Sequence, residues 1–298
     1  MIVRDRPETL DVLLAIHGSI IPKIAARLVA LTAISFLAIL LHIQFPRQMI
    51  HLSTMPFALI GLSLSIFMSF RNNACYDRWW EARKLWGQLI IASRSFARQT
   101  ATLDKETREA LLTGVCGFTH GLTARLRESD EIAAIAPWVQ HRAWRAAPNP
   151  TDAVLAEVGA ECLRLAASKT ISDIHYSVLE TKLSELSVVQ AACERIKTTP
   201  LPFAYSLLLH RTALLFCVLL PFGLAPTLGW WTPLLVVIVS YTFFGLDALG
   251  DQLEDPFGHD DNDLPLDAMA RMVERELLFS LGREDLPPPI TPERYRLT

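Results

Sequence analysis

Three long runs without a Lys, Arg, Asp or Glu constrain this chain more than any other feature. Residues 28–46 form a run of 19, residues 48–70 a run of 23, and residues 212–246 a run of 35. A helix rises 1.5 Å per residue, so about 20 residues cross the roughly 30 Å hydrocarbon core of a bilayer. The first two runs each predict one membrane span. The third is too long for one, and Pro221, Pro226, Gly229 and Pro233 predict that it folds into a helical hairpin. Trp230 and Trp231 fall at that bend, where interfacial aromatic residues belong. The expected spans are about 26–45, 50–70, 201–223 and 231–250, with Pro56 tolerated inside the second.

Between the second and third spans the character changes. Residues 71–200 are rich in both charge signs and carry amphipathic helical patterns, so they predict a large helical region outside the membrane. Asp104 marks a helix start, as do Thr151 or Asp152 after the loop at 146–150, and Asp173 is expected to cap a helix through 174–197. The bend near 225–229 has no Lys or Arg, whereas 71–199 has 17. The positive-inside rule then places both termini, the 71–200 region and the 251–298 tail in the cytoplasm, with the spans in the cell's inner (plasma) membrane. Residues 1–23 lack the pattern of a secretory signal and are expected along the membrane surface. Across all 298 residues, 51% are hydrophobic and 20% charged, too apolar for an ordinary soluble protein and too charged for a purely membranous one. A net charge of −3 argues against a nucleic-acid partner. Cys75, Cys116, Cys162, Cys193 and Cys217 are scattered without a CxxC pair, as reduced structural thiols would be.

Three constellations could carry function. Leu62, Ile66 and Phe70 are four residues apart and form one stripe on a helix, flanked by the small residues Gly61, Ser63, Ser65 and Ser69. The ordinary reading is a buried span; the sharper one is a hydrophobic constriction of the kind that gates by dewetting. His210, Arg211 and Asp247 place charge within the hairpin, and antiparallel pairing about residue 227 predicts an ion pair between Arg211 and Asp247. The segment 254–263 gathers five carboxylates around Pro256 and Gly258, with oxygen ligands of the type calcium takes but without EF-hand spacing.

These residues resemble a known family. Phe70-Arg71-Asn72-Asn73-x-x-Tyr76-x-Arg78-Trp79, Pro200-Leu201-Pro202-Phe203-Ala204-Tyr205 and Glu254-Asp255-Pro256-Phe257-Gly258 are similar to motifs of the bestrophins, in particular the bacterial branch, and the likeness runs from about residue 10 to 285. The resemblance implies an all-α integral membrane protein with four spans per subunit and a large cytoplasmic helical region. It further implies a homopentamer around one pore, with the whole chain as a single channel domain. Its neck positions correspond to Leu62, Ile66 and Phe70, where eukaryotic relatives carry bulkier aromatic residues. A second, cytoplasmic aperture falls near 171–179, with Ile174 as its candidate residue and Ser177 close behind. The 255–263 loop resembles the calcium clasp of eukaryotic bestrophins, with Asp260 and Asp263 as ligands; Asp255 stands where that branch has Asn, and His259 where it has an acid.

The expected function is conduction of monovalent ions, cations such as sodium on the bacterial-branch likeness and chloride on the eukaryotic one, with no required cofactor and no catalysis. Two other classes compete with it: a metal-dependent membrane enzyme using the 254–263 acids, and a membrane scaffold. No HExxH, GxSxG or P-loop pattern supports the first.

Overall fold

The computed structural model describes residues 1–3, 18–45, 54–140 and 143–298. Most of the expected surface segment 1–23 and the start of the second expected span lie outside these residues. Among the described residues the chain is helical, with only isolated bridges such as Ile2 with Arg296 in place of strands. The described residues form nine α-helices in order: α1 (Ile21–Gln44), α2 (Thr54–Gln99), α3 (Lys105–Leu126), α4 (Glu131–Ile135), α5 (Pro150–Ala167), α6 (Asp173–Thr198), α7 (Phe203–Leu228), α8 (Thr232–Glu254) and α9 (Leu266–Ser280). They form two compact units, one built from Asp5–Trp79 together with Pro200–Asp255, the other from Met1–Arg4, Trp80–Thr199 and Pro256–Thr298. The 46-residue α2 contributes to both.

The first unit holds the apolar runs. Among the described residues, three helical segments are long and apolar enough to cross a membrane: Ile21–Gln44, Met55–Gln99 and Phe203–Glu254. The last comprises α7 and α8, joined by a 3-10 turn at Gly229–Trp231. The proline-based expectation for this bend needs correction. Pro221 and Pro226 lie inside α7, and Pro233 sits in the first turn of α8. The chain reverses at Gly229, whose φ of 52° and ψ of −126° suit a residue without a Cβ. Pro56 falls in the first described turn of α2.

Packing inside this unit centres on Ile24 and Leu31 of α1, Leu64 and Met68 of α2, Leu209, Phe216 and Leu220 of α7, and Val236, Phe243 and Phe244 of α8. The outer faces stay apolar, with Leu37, Leu40, Leu215, Leu219, Leu234 and Ile238 exposed, as a lipid-facing surface requires. Two hydroxyls of α1 bond back to the preceding turn. Thr32 donates to the Leu28 carbonyl at 2.8 Å and Ser35 to Leu31 at 2.7 Å, so no polar hydrogen of theirs is left bare in lipid.

The second unit packs α3 against α4, α5, α6 and α9. Asp104 caps α3 by accepting from the Thr107 amide at 2.9 Å, as its place in the sequence predicts. The other two caps fall on neighbouring residues. Asn149, not Thr151 or Asp152, caps α5 with Pro150 in its first turn, and Ser172, not Asp173, caps α6. Small residues let α3 approach its neighbours: a Cβ on Gly114 would stand 2.4 Å from Val158 Cγ2, and one on Gly121 would stand 2.8 Å from both Ile135 and Thr151. All five cysteines are free and buried, and burial pushes the Cys162 and Cys193 thiols up to about 12.

Gly114→Ala decides between two opposed effects. Alanine favours an isolated helix by about 1 kcal/mol, but the overlap with stiff, β-branched Val158 costs about 1–3 kcal/mol. A net loss of stability is expected in denaturant melts, and Gly114→Ala combined with Val158→Ala should recover part of it.

Candidate functional site

Helix α2 has two faces of different kind in its first half. Leu64 (3%), Met68 (0%), Arg71 (2%) and Cys75 (0%) are buried at spacings of four, three and four, the rhythm of one helix face. Leu62 (61%), Ile66 (47%) and Phe70 (61%) lie off that face and are exposed along about 12 Å of helix axis. The packed side is fixed by close contacts. A Cβ on Gly61 would stand 3.2 Å from the Phe216 ring, one on Gly223 would stand 2.5 Å from Phe57, and Tyr205 donates its hydroxyl to the Phe67 carbonyl at 3.0 Å. Leu64 thus packs off the stripe, whereas Phe67, also off the stripe, is half exposed.

Behind the stripe lies a buried charge cluster. Arg71 Nη1 donates to Asp247 Oδ1 at 3.1 Å and to the Asp247 carbonyl at 3.3 Å. Its Nη2 reaches Asp251 Oδ1 at 2.5 Å and Glu254 Oε2 at 3.4 Å. The three acids are spaced i, i+4, i+7, so they line one face of α8. The other Asp247 oxygen meets His210 Nδ1 at 2.7 Å and lies 4.0 Å from Arg27 Nη1. Glu254 is engaged further: its Oε1 accepts from the Leu201 amide at 3.0 Å and its carbonyl from Arg78 Nε at 3.1 Å. Asn72 donates to the Leu246 carbonyl at 3.1 Å. Gly250 leaves the space that Arg71 fills, since a Cβ there would stand 2.6 Å from Asn72 Oδ1 and 3.1 Å from Arg71 Nη1.

The Arg211–Asp247 pair expected from the hairpin does not form. Arg211 is exposed, and Arg71 and His210 hold Asp247 instead. Counting residues about the bend finds which positions of α7 and α8 face each other, but it is blind to α2, which supplies the arginine. Arg71 and Asp247 were each conspicuous in the sequence; their pairing was not.

The other singled-out residues lie in the second unit. Ile174 stands in the first turn of α6 and is 79% exposed, with Ser177 exposed one turn on. In the acidic loop, Asp263 is buried and its Oδ2 accepts from the Asp260 amide at 2.6 Å, while the Leu264 amide donates to the Pro256 carbonyl at 2.8 Å. Arg127 and Arg296 line the same small cleft as Asp260 and Asp263. Arg296 donates to the His259 carbonyl and lies 3.8 Å from Asp261. Among the described residues no three His, Cys, Asp or Glu side chains are grouped to hold a metal ion. As folded, the loop shares its negative field with Arg296, which disfavours a divalent cation there.

A family model described as bacterial/fungal bestrophin protein matches residues 1–278. The chain belongs to that family. It is 42% identical over 296 residues to a voltage-dependent anion channel-forming protein of Mesorhizobium japonicum, covering 98% of this chain and 95% of that one. The voltage-dependent anion channel-forming protein YneE of Escherichia coli K12 is 39% identical over 304 residues, with all of both chains covered. Among solved structures, a bacterial bestrophin homolog from Klebsiella pneumoniae superposes with a TM-score of 0.85 at 39% identity, covering 88% of this chain and 100% of that one.

Two outcomes test this description. Asp247→Asn leaves a buried guanidinium without its main partner and should cost about 3–5 kcal/mol, whereas Arg211→Gln should stay within about 0.5 kcal/mol of the parent. Thermal melts of the detergent-solubilised protein measure both. Millimolar calcium is expected to leave the melting temperature unchanged. A rise of several degrees that Asp260→Ala with Asp263→Ala removes would establish both residues as ligands.

Proposed function

We propose that this chain forms a homopentameric channel for monovalent ions in the inner membrane, crossing it four times with both termini cytoplasmic. The observation that carries this reading is the uncharged stripe of Leu62, Ile66 and Phe70, exposed on a helix whose opposite face is buried. An apolar side chain left exposed on the described chain needs lipid or another copy of the chain to cover it, or else it faces a pore. Around a five-fold axis the stripe would make three stacked hydrophobic collars, one helical turn apart. Such collars resist ions, because a hydrated ion loses water there and gains no ligand. The family and the channel-forming names of relatives support the same reading. Ile174, exposed on the first turn of α6, is the candidate for a second aperture at the cytoplasmic end.

The ion's sign is the point of tension. The bacterial-branch likeness favours cations such as sodium, and the relatives' names specify anions. The stripe has no charge and does not choose between them. Selectivity then belongs to charged or dipolar groups elsewhere along the pathway.

Purified protein in liposomes tests the proposal. Flux together with a pentameric mass in detergent supports it, while a monomer without flux would favour a membrane scaffold. In asymmetric sodium chloride, a reversal potential near that of sodium upholds the cation reading, and one near that of chloride overturns it. Leu62→Ala, Ile66→Ala and Phe70→Ala together should raise conductance or weaken gating without inverting the sign. Leu64→Ala should instead cost about 2–5 kcal/mol through the cavity it leaves.

A further inference from the structure

Phe70 and Arg71 are adjacent in sequence and opposite in environment. Phe70 is largely exposed and Arg71 is fully buried. Consecutive side chains on a helix diverge by about 100°, so a seat that fixes Arg71 also fixes the direction of Phe70, and of Ile66 and Leu62 in line with it. The seat is specific. Three carboxylates on one face of α8 receive the guanidinium, at 3.1 Å from Asp247, 2.5 Å from Asp251 and 3.4 Å from Glu254. Asn72 adds a bond to the Leu246 carbonyl in the adjacent turn at 3.1 Å.

Asp247 is shared. Its Oδ1 serves Arg71 of α2, its Oδ2 meets His210 of α7 at 2.7 Å, and Arg27 of α1 stands 4.0 Å from that same oxygen. One carboxylate thus gathers side chains from the three other described helices of its unit. An apolar contact permits a helix to turn by some degrees at small cost, since Leu and Met can repack. An arginine whose two terminal nitrogens are seated on different carboxylates, the buried Asp247 and the exposed Asp251, does not, because turning away strands its buried charge and that of Asp247.

We infer that Arg71, seated on Asp247 with His210 as the link to α7, is the positioning residue that sets the rotation of α2 and so determines which of its residues form the collars. This rests on the channel reading above. It assigns the cluster a role beyond holding helices together: the buried charges orient an apolar constriction that contains none.

Thiol accessibility separates the two roles. The five native cysteines are buried, so single cysteines at 62, 64 and 66 can be read against them with a cationic methanethiosulfonate in bilayer recordings. In the parent, Leu62→Cys and Ile66→Cys should react quickly and Leu64→Cys slowly. Adding Asp247→Asn should raise the rate at position 64 about tenfold or more, as a minor rotation of α2 becomes a populated one. Arg71→Lys, which keeps the charge, should retain more of the parent contrast than Arg71→Gln.

His210→Ala removes only the half-exposed link and leaves the Arg71–Asp247 contact. It should give a smaller rise at position 64, and it decides the matter if Asp247→Asn fails to assemble. An unchanged contrast in every variant that conducts, whatever the melting temperature does, overturns the inference and leaves the cluster a stabilising one. Absence of current, or no contrast in the parent itself, overturns the channel or neck reading first and this inference with it.

Discussion

A fully buried arginine in an otherwise apolar unit is the constraint on which the rest of that unit depends. Stripping a guanidinium of water costs several kcal/mol even after relaxation, and only close, well-directed acceptors offset it. Arg71 has them in Asp247, Asp251 and Glu254. Their arrangement demands that α8 be helical across all three acids, that α2 approach with one side only, and that residue 250 lack a side chain. Gly250 meets the last demand. The apolar contacts of Leu64, Met68, Phe216 and Phe243 then fill the space around a geometry that polar chemistry has already narrowed.

Close approach of helices is solved in the same way in both units. Lipid tails are as apolar as leucine side chains, so helices in a membrane gain little from the hydrophobic effect when they associate, and tight van der Waals contact matters more. Gly61 and Gly223 provide it, facing the rings of Phe216 and Phe57. In the second unit Gly114, Gly117 and Gly121 let α3 sit against Val158, Val139, Trp138, Val154, Ile135 and Thr151. Around this packing runs a polar network in which Arg125 bonds Glu194 at 2.6 Å and Glu131 at 2.9 Å, and Thr151 donates to Glu131 at 2.9 Å.

The acidic loop shows how one composition can serve opposite ends. Clustered carboxylates around a Pro–Gly turn suit a divalent cation, and equally suit a pair of arginines. Here Arg127 and Arg296 line the cleft, and the buried carboxylate of Asp263 is spent on the Asp260 amide. Arg296 lies 33 residues beyond Asp263 in the chain, so no local pattern around the loop could have announced it.

Local chemistry in the sequence determined the helical class, the apolar segments and the stripe on α2. The reasons are short-ranged: a span needs an uncharged run, a helix repeats every 3.6 residues, and Asp104 caps the helix that follows it. Family membership was legible for the same reason, in three short motifs, each contiguous in the chain. Where the caps of α5 and α6 fell, which residue turned the hairpin, and who held Asp247 were decided only by tertiary structure. Prolines 221 and 226 read as helix breakers in isolation, yet α7 carries both, because a helix inside a bundle finds other partners for the bonds they remove. Arg211 read as the partner of Asp247 because it was the arginine nearest in the hairpin. Arg71, 176 residues away along the chain, is the one that reaches it, because pairing in a low-dielectric interior follows distance in space and takes no account of distance in sequence.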